Sequence, residues 1–102
     1  MTVKLVVLYT RPDNPDTFDE HYLSVHISLT KKLPGLQRVE TGCLIPALGG
    51  GEQPYYRVAE LYFADQAVLE AAVSSDEGRA AEADYEQIAP SGSTMFVEVL
   101  DD

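Results

Sequence analysis

The sequence predicts an α+β fold in which helices cover one face of a single antiparallel sheet. Three observations favour it: short segments rich in β-branched and aromatic residues, longer segments with helical periodicity, and the order in which they alternate. Strands favour β-branched and aromatic side chains, whereas apolar residues spaced three and four apart are typical of a helix. The order is β-α-β-β-α-β, which is the ferredoxin-like or split βαβ pattern.

The first half of the chain is predicted to contain a strand, a helix and a second strand. Residues 3–10 are β-branched, aliphatic and aromatic, and too few for an isolated helix. The helix is expected to begin at Asn14 and Pro15, because asparagine suits the N-cap and proline the first helical position. Pro34 and Gly35 end this helix. Residues 36–45 form the second predicted strand.

The second half is predicted to contain a loop, a strand, a broken helix and a final strand. Residues 46–54 contain three consecutive glycines and no apolar period, which indicates a mobile loop that serves as a lid or a long hairpin connection. Residues 55–63 form a strand. Residues 64–89 are rich in Ala and Glu and form a helix broken near Ser75, with Ser75 or Asp76 as the cap of the second piece. Residues 94–100 form the last strand.

Composition limits the classes of function. The 102 residues are expected to form one domain. Asp and Glu outnumber Lys and Arg 17 to 7, and a net charge of −10 disfavours nucleic acid and anionic membranes as partners. No apolar stretch approaches the ~20 residues that span a bilayer. The single cysteine, Cys43, provides no internal disulfide, so we expect a cytoplasmic protein.

The first and last strands predict a homodimer. In residues 3–9 the side chains on both faces of the strand are apolar. In the last strand, Met95 and Val97 lie on one face and Phe96 and Leu100 on the other, so both faces are again apolar. Strands that are apolar on both faces are covered on both faces. Two helices can cover only one face of the sheet. The sequence therefore predicts that two sheets face each other around a cavity, which makes a dimeric α/β barrel.

His26 is the first candidate for chemistry. An apolar stripe is formed by Phe18, Tyr22, Val25, Leu29 and Leu33, and at ~100° per residue His26 lies on its edge, about 60° from the centre. We expect this edge to face the cavity between the two sheets. An imidazole with an ordinary pKa near ~6.5 can take a proton from a bound ligand, but it can equally be a hydrogen-bonded structural residue. His21 is predicted to be a surface or interface residue. The two histidines diverge around an α-helix, so no metal site is predicted.

Glu60 and the tyrosines are further candidates. Glu60 interrupts an otherwise apolar strand, where a carboxylate needs a partner. It is predicted either to orient His26 or bind a ligand hydroxyl, or to pair with Lys4 or Arg57. Tyrosines combine an apolar ring with a polar tip and suit the walls of a ligand cavity. Cys43 is expected to be a small buried apolar residue. The candidate substrate-binding residues are Tyr9, Tyr22 and Tyr62.

An ordered set of segments resembles the EthD family, which is named for ethyl tert-butyl ether degradation. The segments are KLVVLY at residues 4–9, FDEHYLSVH at 18–26, KLPGL at 32–36, YRVAELYF at 56–63 and SDEGR at 75–79. The resemblance covers almost the whole chain except the glycine loop. It implies a ferredoxin-like protomer in which residues 1–102 form one domain. It also implies a dimer of this protomer and a pocket that contains His26. In the wider group, relatives act as cofactor-free monooxygenases, lactone isomerases or polyketide cyclases.

Three functions are compatible with these residues. In the first, His26 acts as general acid or base on a small apolar or aromatic substrate, without metal or bound cofactor, in an oxygenation, isomerisation or cyclisation. In the second, the protein binds such a metabolite without converting it, as an accessory protein in a catabolic or polyketide pathway. In the third, side chains fill the cavity and the dimer is purely structural. The sequence does not decide whether the protein is an enzyme.

Overall fold

A computed structural model describes all residues from 1 to 102, and its core is one four-stranded antiparallel sheet. The strands are β1 (Val3–Thr10), β2 (Arg38–Cys43), β3 (Tyr55–Phe63) and β4 (Thr94–Val99). Their order in the sheet is β2-β3-β1-β4, and each neighbouring pair is antiparallel. The predicted fold class and order of elements are confirmed. The second strand is shorter than predicted, since residues 36–37 and 44–45 lie outside it.

The helical segment after β1 is continuous but not uniform. It consists of α1 (Pro15–His21), a π-helical segment (Tyr22–His26) and α2 (Ile27–Thr30). The side chain of Asn14 accepts a hydrogen bond of 3.2 Å from the backbone N–H of Thr17, so the predicted cap is confirmed. In the π-helical segment the backbone N–H of Ile27 donates to the carbonyl of Tyr22, five residues earlier. Each such turn is wider than an α-turn.

The second helical segment is broken where the sequence predicted. It consists of α3 (Gln66–Ser74) and α4 (Asp76–Ile88), separated by Ser75 in an extended conformation. The Ser75 hydroxyl accepts a hydrogen bond of 3.0 Å from the N–H of Gly78, which caps α4. Gly78 is required here, because a Cβ atom would lie 2.3 Å from the carbonyl oxygen of Ala72. The two helices therefore meet at a tight corner.

The two faces of the sheet have different surroundings. Odd-numbered residues of β1 and β3, among them Val3, Val7, Tyr9, Leu61 and Phe63, pack against the helices and form the core with Phe18, Tyr22, Leu69 and Ala72. Most even-numbered residues of the same strands lie on the opposite, open face, whereas Tyr56 near the start of β3 donates a hydrogen bond of 2.6 Å to Asp19 of α1. The register pairs Val6 with Glu60 and Lys4 with Tyr62. The helices leave β4 largely uncovered, and all its residues are exposed. No helix is both long and apolar enough to cross a bilayer.

Candidate functional site

A cavity of about 90 Å³ lies between the helix-facing side of the sheet and the helices. Its walls are mainly apolar, and its lining includes the rings of Tyr9, Tyr22, His26 and Tyr85. Met95 lines the cavity and is 43% exposed, so the cavity meets solvent beside β4. The expectation that His26 faces a cavity between two sheets is therefore wrong. Its cavity lies within one protomer, on the side of the sheet that the helices cover.

The π-helical segment moves His26 from the edge of the buried stripe to its centre. The buried residues of the helical segment are Phe18, Tyr22, His26 and Thr30, whereas Val25 is 41% exposed. A regular α-helix would bury Val25 instead, which is what the spacing predicted. The wider π-turn rotates every later residue relative to Tyr22. His26 consequently stacks against Tyr22, with ring centroids 5.7 Å apart and an interplanar angle of 21°.

Asp84 of α4 is bonded to both histidines. His26 Nδ1 lies 2.9 Å from Asp84 Oδ2, and His21 Nε2 lies 2.8 Å from Asp84 Oδ1. His26 and Asp84 are both buried, while the side chain of His21 is 39% exposed. The prediction that the two histidines diverge is wrong, because the wide π-turn brings both rings to one side. His21, Asp84 and His26 thus form a chain of hydrogen bonds from the surface to the cavity.

Electrostatics favour a neutral His26 beside an ionised Asp84. Burial lowers the pKa of His26, and the hydrogen bond to Asp84 opposes this shift only in part. Burial also disfavours the charged form of Asp84, but the hydrogen bonds from His21 and His26 outweigh it and lower the pKa of the carboxyl. A neutral His26 that donates from Nδ1 to Asp84 carries a free lone pair on Nε2. The tautomer follows from this hydrogen-bond network.

Tyr9 lies next to that lone pair. Its hydroxyl is 3.4 Å from His26 Nε2, and its ring is 1% exposed. Burial raises the pKa of Tyr9 well above its ordinary value of 10.0, so its hydroxyl stays protonated and can donate. Tyr22 forms one wall, and the guanidinium of Arg57 lies 5.0 Å from the centroid of its ring. Burial raises the pKa of Tyr22 to about 12.

Glu60 and Tyr62 lie on the open face of the sheet, apart from His26. Lys4 Nζ is 3.1 Å from Glu60 Oε1, and Tyr62 donates a hydrogen bond of 2.9 Å to Glu40. The sequence offered an ion pair with Lys4 as one of two roles for Glu60, and this is the role that the structure gives it. The hydrogen bond that Lys4 donates to Glu60 raises the pKa of Lys4.

Two other expectations concern Cys43 and metals. Cys43 is exposed rather than buried, and its thiol accepts a hydrogen bond of 3.1 Å from Arg57 Nη2. The expectation of a small buried apolar residue is therefore wrong. No group of three or more His, Cys, Asp or Glu side chains is arranged to hold a metal ion.

The fold defines a ferredoxin-like α+β protein with a buried His–Asp pair in a cavity of the protomer. The family model of the EthD domain matches residues 12–90 of the sequence, so the chain belongs to the EthD family. A curated relative, an uncharacterised 11.0 kDa protein of the thcB-thcC intergenic region of Rhodococcus erythropolis, is 36% identical over 93 residues. That match spans 91% of this chain and 89% of the relative.

Solved structures share the fold over almost the whole chain. An EthD family protein from Bacillus halodurans is 34% identical with a TM-score of 0.91, covering 98% of this chain and 99% of its own. A dimeric ferredoxin-like protein from Thermobifida fusca is 19% identical with a TM-score of 0.74, covering 98% and 92%. A hydroxynitrile lyase from Passiflora edulis is 12% identical with a TM-score of 0.80, covering 99% and 94%. The last two are similar to this chain in fold alone.

Proposed function

We propose that the protein binds a small apolar or aromatic metabolite in the cavity of the protomer, and that His26 exchanges a proton with it. The observation that carries this proposal is the 2.9 Å hydrogen bond from buried His26 Nδ1 to buried Asp84 Oδ2, at the wall of an apolar cavity. His26 lines the cavity with a carboxylate on one ring nitrogen, while its other nitrogen has only a long contact of 3.4 Å to the Tyr9 hydroxyl. Perturbed titratable groups in clefts are typical of functional sites.

The arrangement supports general acid–base chemistry that uses only side chains of this chain. Nε2 accepts a proton from an acidic O–H or C–H bond of the ligand. The resulting imidazolium is stabilised by the ionised Asp84 that already receives Nδ1–H. Asp84 thus takes the orienting role that the sequence considered for Glu60. The hydroxynitrile lyase of the same fold is an enzyme, which supports the possibility of catalysis without identifying this reaction.

The open face of the sheet supports the proposal that two chains form a homodimer of face-to-face sheets. Val6 and Leu8 of β1 and Phe96 of β4 lie on that face, and Phe96 is 49% exposed. Phe96 is left uncovered, while Val6 is buried and Leu8 is half-buried. The similar protein from Thermobifida fusca is described as dimeric. Each protomer then keeps its own His26 cavity on the outer side of its sheet, and the domain of residues 1–102 is half of a dimeric α/β barrel.

The test of acid–base function compares wild-type protein with His26→Gln. Each is incubated with a pool of small apolar and aromatic metabolites, and mass spectrometry records which compounds are converted and which are retained on the protein. Wild-type protein should convert at least one compound, and His26→Gln should lower its rate by about 10²-fold or more, the usual range for general acid–base catalysis. Glu60→Gln serves as the matched control and should leave the rate unchanged.

The alternative function is binding without conversion, which the apolar cavity supports equally well. Retention of a compound without any chemical change by wild-type protein would establish this accessory role instead. Neither retention nor conversion across the pool would reject both functions and leave a structural dimer.

A further inference from the structure

The geometry points to a ligand that carries a hydroxyl group, whose oxygen lies beside Tyr9 Oη and His26 Nε2, within hydrogen-bond distance of both. The hydroxyl is enolic or phenolic, and the rest of the ligand is apolar. This inference rests on the proposed function, because it concerns the same cavity and the same histidine. The proposed function requires only a small apolar or aromatic ligand, whereas this inference gives that ligand a hydroxyl group at a defined position.

The two polar atoms at this wall have opposite hydrogen-bonding roles. His26 gives its Nδ1 proton to Asp84, so Nε2 is an acceptor. Tyr9 is protonated, so Oη is a donor. The two atoms are 3.4 Å apart, longer than the 2.5–3.2 Å that proteins usually show, and their mutual bond is weak. A hydroxyl satisfies both atoms better, because its single oxygen donates to one and accepts from the other.

The remaining walls fit an apolar body. Leu5, Val7, Ala59 and Leu61 of the sheet line the cavity opposite His26. Its volume of about 90 Å³ is smaller than the ~150 Å³ of a closed cavity that holds benzene. A ring must therefore extend towards the opening at Met95, and the unbranched side chain of methionine adapts readily to such a ligand. The hydroxyl binds at the inner end, and the apolar body points to solvent.

The proposed arrangement gives a balanced proton transfer. The O–H bond of the ligand breaks, its proton forms a bond to His26 Nε2, and the electron pair stays on the ligand oxygen. The products are an oxyanion, which accepts the hydrogen bond of Tyr9, and an imidazolium, which Asp84 stabilises. Tyr9 can serve as this donor because its own proton is held firmly by burial. No oxidant, reductant or further reactant takes part in this step.

The test uses para-fluorophenol and para-fluorotoluene, which have similar shapes but carry a hydroxyl and a methyl group. Fluorine NMR measures the affinity of each compound for the wild-type protein, for Tyr9→Phe and for Tyr85→Phe. Tyr85 is the matched control because it lines the same cavity, with its ring 5.6 Å from that of Tyr9. A purely apolar cavity favours the toluene, since phenol loses hydrogen bonds to water when it enters.

We expect wild-type protein to bind the phenol about tenfold more tightly than the toluene, the effect of two hydrogen bonds of ordinary net strength. Tyr9→Phe should reduce this preference about fivefold, and Tyr85→Phe should keep it. If Tyr9→Phe does not fold, the nitrogen-15 shift of His26 Nε2 in wild-type protein provides the test. It should change on adding the phenol and stay the same on adding the toluene.

Each other outcome has a definite meaning. Binding of the toluene as tightly as the phenol overturns the hydroxyl inference and leaves an apolar ligand site. An equal preference for the phenol in wild-type and Tyr9→Phe, or an unchanged Nε2 shift, overturns the assigned position of the hydroxyl. If neither compound binds, the ligand-binding function itself fails, and the inference fails with it.

Discussion

His26 is buried in its neutral form, and this residue makes the stability of the protein depend on pH. Its pKa in the folded state is lowered, mainly by burial, whereas in the unfolded chain the imidazole takes a proton near pH ~6.5. Between these two pKa values the unfolded chain binds more protons than the folded one. The stabilising contribution of neutral His26 to the free energy of unfolding is therefore complete above pH ~6.5. It decreases as the pH falls towards the pKa of His26 in the folded state.

We expect the free energy of unfolding to rise with pH in the range just below ~6.5, by at most about 1.4 kcal/mol per unit from His26. Urea denaturation at several pH values measures this slope in wild-type protein and in His26→Gln. The variant should have a smaller slope, because the other titrating groups are common to both proteins. Identical slopes would show that the protonation of His26 is the same in the folded and unfolded states.

The sequence identified some of the site residues and missed another. His26, Tyr9 and Tyr22 were candidates because each is a polar ring in an apolar pattern. Asp84 was missed because it is one of 17 acidic residues and lies in a helix rich in Ala and Glu. A signal was present: Asp84 is three residues after Ala81 and four before Ile88, on the side of α4 that packs inwards. An acidic residue at such a position needs a buried partner.

At the scale of elements, the corner between α3 and α4 depends on Gly78. A Cβ atom at this position would lie 2.3 Å from the carbonyl oxygen of Ala72 and 2.5 Å from that of Val73. Backbone atoms cannot move aside as a flexible side chain can. Gly78 also lines the cavity, so a shift of α4 would displace Asp84 relative to His26.

We therefore expect Gly78→Ala to lower the free energy of unfolding by about 1–3 kcal/mol, the usual cost of overpacking. Gly42→Ala is the matched control, since a Cβ atom there has no neighbour within 4 Å. Chemical denaturation of both variants checks the expectation. Equal stabilities of the two variants would mean that the corner relaxes without cost.

The elements show what a sequence pattern can and cannot predict. The bounds of β3 and the break at Ser75 followed from composition and capping, which are local properties. The π-helical segment was not predicted, because helical periodicity assumes one constant rotation per residue. The exposure of Val25 and the convergence of His21 and His26 both result from that segment.

At the scale of the whole molecule, the proposed dimer makes a prediction for β4. Phe96 lies on the open face and Val97 on the helix-facing side, and they are 49% and 44% exposed. We expect sedimentation at micromolar concentration to give twice the 11.2 kDa of one chain. Phe96→Glu should weaken this dimer, because it places a charge in an apolar interface.

Val97→Glu is the control, a change of the same kind at a similar exposure on the other side of the same strand. It should leave the dimer intact. A monomeric wild-type protein would contradict the dimer. If Val97→Glu weakened the dimer more than Phe96→Glu, the interface would lie on the helix-facing side of the sheet and not on the open face.

The π-helical segment also affects how related sequences should be aligned. Its hydrogen-bonded turn contains one residue more than an α-turn. A relative with one residue fewer between Phe18 and Leu33 can keep both buried ends and the same fold. Its helix would be regular, and we expect its counterparts of His21 and His26 to lose their common carboxylate. A single alignment gap near Ser24 would therefore separate chains that share this proton-transfer geometry from chains that share only the fold.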